Sequence, residues 1–153
     1  MDYREVSEVR DGMRIDWDVP VKMEDGLVLR ADVYRPVADG RYPVILTYGP
    51  YAKWLHFEDL YIDQWRRMCE EHPDVPTGST NQYQNWEVVD PEKWVPDGYA
   101  VVRVDSRGAG RSPGCSICGR CVRLRISIIA WSGRRSSPGQ TARSDSTVFP
   151  ITP

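Results

Sequence analysis

The chain has 153 residues, of which 41% are hydrophobic and 27% are charged, and its formal net charge is −2. This length fits a single domain, and the composition is that of a globular protein in water. No apolar run reaches the roughly 18 residues of a membrane-spanning helix, and the polar N-terminus lacks the apolar segment of a secretory signal. We therefore expect a cytoplasmic protein with reduced thiols and without a membrane partner.

Charge is distributed unevenly along the chain. Residues 115–153 carry six arginines and one aspartate but no lysine or glutamate, a net charge of +5, whereas residues 1–114 have a net charge of −7. A basic tail can indicate nucleic-acid binding. The abrupt change of composition indicates instead that the tail is foreign to the rest of the chain.

An antiparallel hairpin is the first predicted structure. Residues 1–11 are polar and are predicted to be a frayed arm. Residues 15–23 alternate between apolar and polar, as in a strand with one buried face, and Pro20 indicates an edge strand. Asp25-Gly26 is a strong hairpin signal between this run and the alternating residues 27–33. The single predicted face of the first strand consists of Ile15, Trp17, Val19, Val21 and Met23.

A β-α-β unit is predicted for the middle of the chain. Residues 42–48 form a continuous apolar run, which is typical of a strand covered on both faces. Residues 54–71 predict an amphipathic helix, and residues 91–95 a second short helix that begins with proline. A buried strand over 99–104 completes the unit. The apolar stripe of the first helix comprises Phe57, Tyr61, Trp65 and Met68, with Ile62 and Cys69 beside it.

A glycine-rich loop follows this last strand, at the kind of position where α/β proteins bind ligands. Its residues 110–114 match the serine-hydrolase pattern Gly-x-Ser-x-Gly, but Ser112 lies several residues beyond the strand. Pro113 also lacks the backbone N–H that the residue after a nucleophile donates. We therefore predict that Ser112 is structural. For Asp105 and Arg107 we expect an ion pair or hydrogen bonds that fix the loop.

Few other residues offer catalytic or metal-binding chemistry. His56 and His72 are the only histidines, and both are predicted to lie on the surface. In the α/β-hydrolase order Ser, Asp, His, no histidine remains after residue 72 to act as the base. Tyr51 follows a buried strand at the end where active sites form, yet its position alone favours simple packing with the hydroxyl in solvent.

A metal site in the tail is the remaining candidate. Cys115, Cys118 and Cys121 have the spacing that begins a ferredoxin cluster motif, but Arg125 occupies the position of the fourth ligand. We therefore expect neither a metal nor a cofactor.

Several segments together resemble a known family. They are residues 25–36, residues 42–51, residues 98–108 and residues 110–114. The first has the sequence Asp-Gly-Leu-Val-Leu-Arg-Ala-Asp-Val-Tyr-Arg-Pro, and the third has the sequence Gly-Tyr-Ala-Val-Val-Arg-Val-Asp-Ser-Arg-Gly. Their order and spacing resemble the N-terminal part of the Xaa-Pro dipeptidyl-peptidase-like hydrolases, which include the cocaine-esterase and CocE/NonD type. The resemblance covers about residues 12–114.

This resemblance implies a fold, an activity and one site residue. The implied fold class is α/β, an incomplete α/β-hydrolase fold in which an antiparallel N-terminal hairpin leads into a mostly parallel sheet. The family's serine hydrolases cleave ester or amide bonds, including those of Pro-containing peptides, so a small-molecule ester or peptide is the implied substrate. In the family the tyrosine of the matching Pro-Tyr pair donates its hydroxyl to the oxyanion, and that role falls on Tyr51. The Asp105-to-Gly108 loop is a scaffold feature there.

The sequence departs from the family pattern after Gly114. The family continues with an acidic helix, a strand and the nucleophile elbow, none of which matches residues 115–153. Loss of Lys and Glu, with enrichment of Arg, Ser, Gly, Pro and Cys, is what a shifted reading frame in GC-rich DNA would produce. We therefore hypothesise a family domain over 1–114 and a disordered, frameshift-derived tail over 115–153, in a truncated chain that is inactive alone.

The alternative is a non-catalytic α/β fragment whose basic, Cys-rich tail binds metal or nucleic acid. The first hypothesis implies no nucleic-acid partner. Neither hypothesis identifies the substrate or the oligomeric state.

Overall fold

A computed structural model describes residues 6–115 of the chain, and all structural statements refer to this segment. The strands form one mixed sheet in the order β1-β2-β3-β5-β4. The β4–β5 pair is parallel, and the other neighbouring pairs are antiparallel. In chain order the elements are β1 (Val6–Arg10), β2 (Met13–Lys22), β3 (Val28–Pro36), β4 (Val44–Gly49), α1 (Phe57–Leu60), α2 (Ile62–Glu71), α3 (Pro91–Trp94) and β5 (Ala100–Asp105).

The N-terminal arm is a strand, so the prediction of a frayed segment up to residue 11 was wrong for residues 6–10. β1 pairs with β2 from Val6–Trp17 to Arg10–Met13. Asp11 and Gly12 both have positive φ, +50° and +74°, which is the backbone of a tight type I′ hairpin turn. Because Val6 and Val9 remain exposed, backbone pairing rather than burial accounts for this strand.

The hairpin of β2 and β3 is confirmed, but β2 does not keep one face inward. Its register shifts between Asp16 and Val19, where Asp18 has φ +54°. An irregularity of this kind moves the following side chains to the opposite face of the sheet. Ile15 and Trp17 therefore pack with Tyr34 and Val101 on one face, whereas Val21 and Met23 pack with Leu29 and Val104 on the other.

The prediction from Pro20 of an edge strand was wrong for β2 as a whole, because β2 lies between β1 and β3. The β1 pairing of β2 ends at Trp17, so the proline is beyond the reach of β1. On its other side Pro20 is in register with Arg30 of β3. The missing N–H of proline is therefore tolerated on the unpaired side of β2.

The β-α-β unit is confirmed, with two differences in its helical part. β4 and β5 are parallel neighbours, and α3 begins at Pro91 as predicted. The predicted helix over 54–71 is two helices, because Tyr61 has φ −135° and ψ 56°, outside the helical region. Phe57 and Trp65 are buried as expected, but Ile62 is 45% exposed.

β4 is less covered than its apolar run predicts. Within the described segment it is the last strand of the sheet and pairs only with β5. Val44 is exposed and the rest of the strand is half-buried. β5, by contrast, lies between β3 and β4 and is almost entirely buried.

We expect the isolated chain to self-associate through β4. An unpaired apolar strand edge is a template for pairing with another chain. Size-exclusion chromatography and thermal denaturation followed by circular dichroism measure this. Val44→Lys should reduce self-association, because a charge blocks edge pairing, whereas the control Val9→Lys on the opposite edge should not. A monodisperse wild-type monomer with a cooperative melt would contradict the expectation.

Candidate functional site

The predicted site residue Tyr51 lies in the turn after β4, at the carboxyl end of the two parallel strands. Its half-buried ring contacts Trp86 edge to face, with 6.5 Å between ring centroids. No hydrogen-bond partner of its hydroxyl occurs among residues 6–115. The ring borders an open pocket of about 170 Å³. The pocket is lined by Thr47, Tyr48, Gly49, Pro50, Tyr51, Ala52, Lys53, Asn85, Trp86, Glu87, Val88, Val104 and Asp105.

The Asp105 carboxylate ties this turn to the glycine-rich loop. Oδ1 of Asp105 accepts from the Lys53 backbone N–H at 2.7 Å, and Oδ2 accepts from that of Arg111 at 2.8 Å. Asp105 is fully buried. A Cβ at Gly110 would collide with this carboxylate, so glycine is required there. The expectation that Asp105 fixes the loop by hydrogen bonds is confirmed.

A buried ion cluster lies beneath the turn. The Lys53 ammonium donates to Asp18 Oδ1 at 2.6 Å and to Asp32 Oδ1 at 2.7 Å, and its side chain is 2% exposed. Arg111 pairs with the other oxygen of Asp18. Lys53 and Arg111 thus balance the charges of Asp18 and Asp32, with Arg111 the one partly exposed member, and pairing of this kind is the condition under which buried ions are tolerated.

The two carboxylates of this cluster respond differently to burial. Burial alone raises the pKa of Asp18, but hydrogen bonds and charges from Lys53 and Arg111 outweigh it and hold that pKa below its usual value. Burial dominates for Asp32 and raises its pKa despite Lys53. Asp32 also keeps one oxygen without a partner in the described segment.

The loop before α3 forms the opposite wall of the pocket. Asn85 is buried, its side-chain N–H donates to the Ala52 carbonyl at 3.0 Å, and its side-chain oxygen accepts from the Trp86 N–H at 2.7 Å. Trp86 then packs against Phe57 and Tyr61 as well as Tyr51. One amide side chain thus joins the Tyr51 turn to this aromatic wall.

Ser112 is structural, as predicted. Its hydroxyl donates to the Asp105 carbonyl at 2.7 Å and accepts from the Arg30 N–H at 2.9 Å. The side chain is 6% exposed. A hydroxyl engaged in this way joins the loop to β3 and is not available as a nucleophile.

Neither histidine forms a hydrogen bond with Ser112 in the described part of the chain. His72 is exposed and caps the C-terminus of α2. His56 is half-buried and so lies only partly at the surface. One ring nitrogen accepts from the Glu58 N–H at the start of α1, and the other contacts the Asn81 carbonyl. These contacts give His56 a role in capping a helix.

Arg107 and the cysteines complete the predicted candidates. Arg107 pairs with Asp25 of the hairpin turn at 2.6 Å rather than with Asp105. Cys69 is a free thiol and Cys115 is exposed, whereas Cys118 and Cys121 lie outside the described residues. Residues 6–115 contain no group of three or more potential metal ligands. Nor does this segment contain a helix of the length and apolarity that crossing a bilayer requires.

Comparison with known proteins identifies the fold and the family. The family model for X-Pro dipeptidyl-peptidase (S15 family) matches residues 25–140. Cocaine esterase from Rhodococcus sp. (strain MB1 Bresler) is 39% identical over 97 residues, 63% of this chain but 12% of that protein. The crystal structure of a CocE/NonD family hydrolase from Staphylococcus aureus is 32% identical with a TM-score of 0.51, over 65% of this chain and 16% of that one.

These matches agree with an α/β-hydrolase fold of which this chain contains an N-terminal fragment. The family match ends beyond Gly114, inside the tail, so the domain boundary at that residue stays a prediction. The chain corresponds to only a small part of each relative's length. Because the family model matches well over half of the sequence, we conclude that the chain belongs to the X-Pro dipeptidyl-peptidase (S15) family of hydrolases.

Proposed function

We propose that this chain is the N-terminal part of a serine hydrolase that cleaves ester or amide bonds, and that Tyr51 is its oxyanion donor. One observation carries the proposal: Tyr51 lines the pocket at the carboxyl end of β4, and its hydroxyl has no hydrogen-bond partner among residues 6–115. Tyr51 is half-buried, so its hydroxyl can reach the open pocket. A hydroxyl that stays free beside a pocket is available to a ligand.

The proposed contribution of Tyr51 to catalysis is electrostatic. During acyl transfer the carbonyl oxygen of the substrate gains negative charge as the nucleophile adds, and a fixed O–H donor stabilises that charge. The tyrosine thus acts on the transition state more than on the bound substrate. The serine nucleophile, its general base and the orienting acid would come from outside residues 6–115.

The proposed substrate is a small-molecule ester or a peptide, including peptides that contain proline. Neither a nucleic acid nor a membrane is part of this proposal. Trp86, Tyr48 and Val88 give the mixed pocket lining an apolar part, which suits an acyl or leaving group with hydrocarbon character.

Translating the coding DNA in its other two frames past the Gly114 codon tests whether the chain is a truncated hydrolase. We expect one frame to encode an acidic helix followed by a strand and a Gly-x-Ser elbow. If neither frame contains this pattern, the frameshift hypothesis is wrong. The conclusion on family membership does not depend on this result.

The alternative function concerns the tail, which lies outside the described residues except for Cys115. Its motivation is the three cysteines at a spacing of three and the six arginines. Stoichiometric zinc or iron in the purified chain, or DNA binding that weakens steeply with salt, would favour this alternative. Absence of both would leave the hydrolase proposal without a competitor.

A further inference from the structure

We propose that Asn85 and Asp105 are positioning residues, which fix the turn that carries Tyr51 and thereby aim its hydroxyl. This inference rests on the proposed role of Tyr51. It assigns a part in the reaction to two side chains that need not touch the substrate.

The turn adopts a backbone conformation that does not persist without support. Ala52, directly after Tyr51, has φ +57°, the left-handed region that costs a residue with a Cβ about 1 kcal/mol or more. Strain of this kind persists only when surrounding contacts hold it. The peptide group that joins Ala52 to Lys53 is held at both of its polar atoms: the Ala52 carbonyl accepts from Asn85 at 3.0 Å, and the Lys53 N–H donates to Asp105 at 2.7 Å.

The side chain of the next residue is anchored just as firmly. Lys53 ends in the buried cluster with Asp18 and Asp32, and its departure would leave the buried Asp32 without a cation and Asp18 with Arg111 alone. With the backbone N–H and side chain of Lys53 both held, the chain directly after Tyr51 is fixed, which restricts where the Tyr51 backbone can lie. The Trp86 ring contacts the Tyr51 ring and restricts rotation of the Tyr51 side chain. Asn85 holds Trp86 in turn, because its side-chain oxygen accepts from the Trp86 backbone N–H.

Rigidity of the Tyr51 turn should affect the catalytic rate more than it affects substrate binding. A displacement of about 1 Å in a catalytic group can lower a rate by about 10²-fold. Loosening the turn should therefore weaken the interaction with the oxyanion while leaving substrate contacts elsewhere in place.

Asn85→Asp is the most selective probe. Aspartate has the same shape, and its oxygen can still accept from the Trp86 N–H. The other oxygen, however, faces the Ala52 carbonyl in place of a donor, so one hydrogen bond becomes a repulsion. The matched control is Asn81→Asp, since Asn81 lies in the same loop and its amide donates only to the Pro76 and Ser79 carbonyls.

The test uses an intact hydrolase of this family that carries the matching residues. We expect Asn85→Asp to lower kcat about 10- to 100-fold with a smaller change in KM, and Asn81→Asp to leave both near wild type. In a Tyr51→Phe background the same Asn85→Asp change should have almost no further effect, because its action passes through the tyrosine hydroxyl. Melting temperatures of all variants are compared in parallel, and Asn85→Ser replaces Asn85→Asp if the latter does not fold.

The outcomes separate this inference from the proposed function. If Tyr51→Phe keeps full activity, the role of the tyrosine is wrong and the inference fails with it. If Tyr51→Phe is impaired but the Asn85 variant is fully active, or loses as much rate in the Phe background as in the wild type, only the positioning role is overturned.

Discussion

Replacing the tyrosine at position 51 by phenylalanine in an intact hydrolase of this family is expected to lower kcat by about 10²–10³. The change removes one oxygen and leaves the ring contact with Trp86 in place. Because the hydroxyl interacts most strongly when the oxyanion forms, its loss raises the barrier and changes KM much less. Steady-state kinetics with an ester substrate measure both constants.

The control for this prediction is Tyr99→Phe. Tyr99 packs against Trp94, immediately before the start of β5, and does not border the Tyr51 pocket. Its substitution should leave kcat and KM unchanged. A Tyr51→Phe enzyme with wild-type kcat would show that the hydroxyl is only structural.

We expect the 153-residue chain by itself to have no serine-hydrolase activity. Acyl transfer by this mechanism requires a nucleophile, a general base and an orienting acid. Ser112 is buried and its hydroxyl is engaged by Asp105 and Arg30, while His56 is occupied by Glu58 and Asn81. Tyr51 can stabilise charge but cannot generate a nucleophile.

Three reagents measure this absence: p-nitrophenyl acetate, a chromogenic dipeptide that contains proline, and a fluorophosphonate probe. An intact hydrolase of the family serves as the positive control in the same buffer. We expect neither turnover nor covalent labelling for this chain. If the chain turns over a substrate, and the probe both abolishes this turnover and labels one of its serines, the prediction of inactivity is wrong.

Much of the fold could be predicted because local signals agree with the tertiary structure. Asp25-Gly26 forms the hairpin turn between β2 and β3, and the apolar runs before Gly49 and Asp105 become a parallel pair. The Gly-x-Ser-x-Gly match does not mark a nucleophilic serine, because Pro113 cannot donate a backbone N–H to the oxyanion. The hydrogen bonds of Ser112 agree with that interpretation.

The errors arose where a long-range contact overrides a local pattern. Polar residues at the N-terminus indicated an arm, yet Asp11-Gly12 is as good a turn signal as Asp25-Gly26 and pairs β1 with β2. The alternation through β2 suggested one face, but the irregularity at Asp18 divides it between two cores. The alternation of apolar and polar residues along a strand does not show where an extra residue shifts the register.

The buried cluster around Lys53 could not be inferred from spacing. Asp18, Asp32 and Lys53 lie on three separate segments, and each looks like an ordinary charged residue in the sequence. One signal was present: Asp32 interrupts the most buried part of β3, where an unpaired carboxylate would be costly. That cost indicates a buried partner, but only the structure identifies the partner as Lys53.

The most direct test of the account is a crystal structure of an intact hydrolase of this family, carrying the matching tyrosine, with a boronic acid bound to its nucleophilic serine. The adduct places a negatively charged oxygen where the oxyanion forms. We expect the Tyr51 hydroxyl to lie within about 2.7–3.1 Å of that oxygen. A hydroxyl that points away from the adduct, with the oxygen bound by other donors, would contradict it.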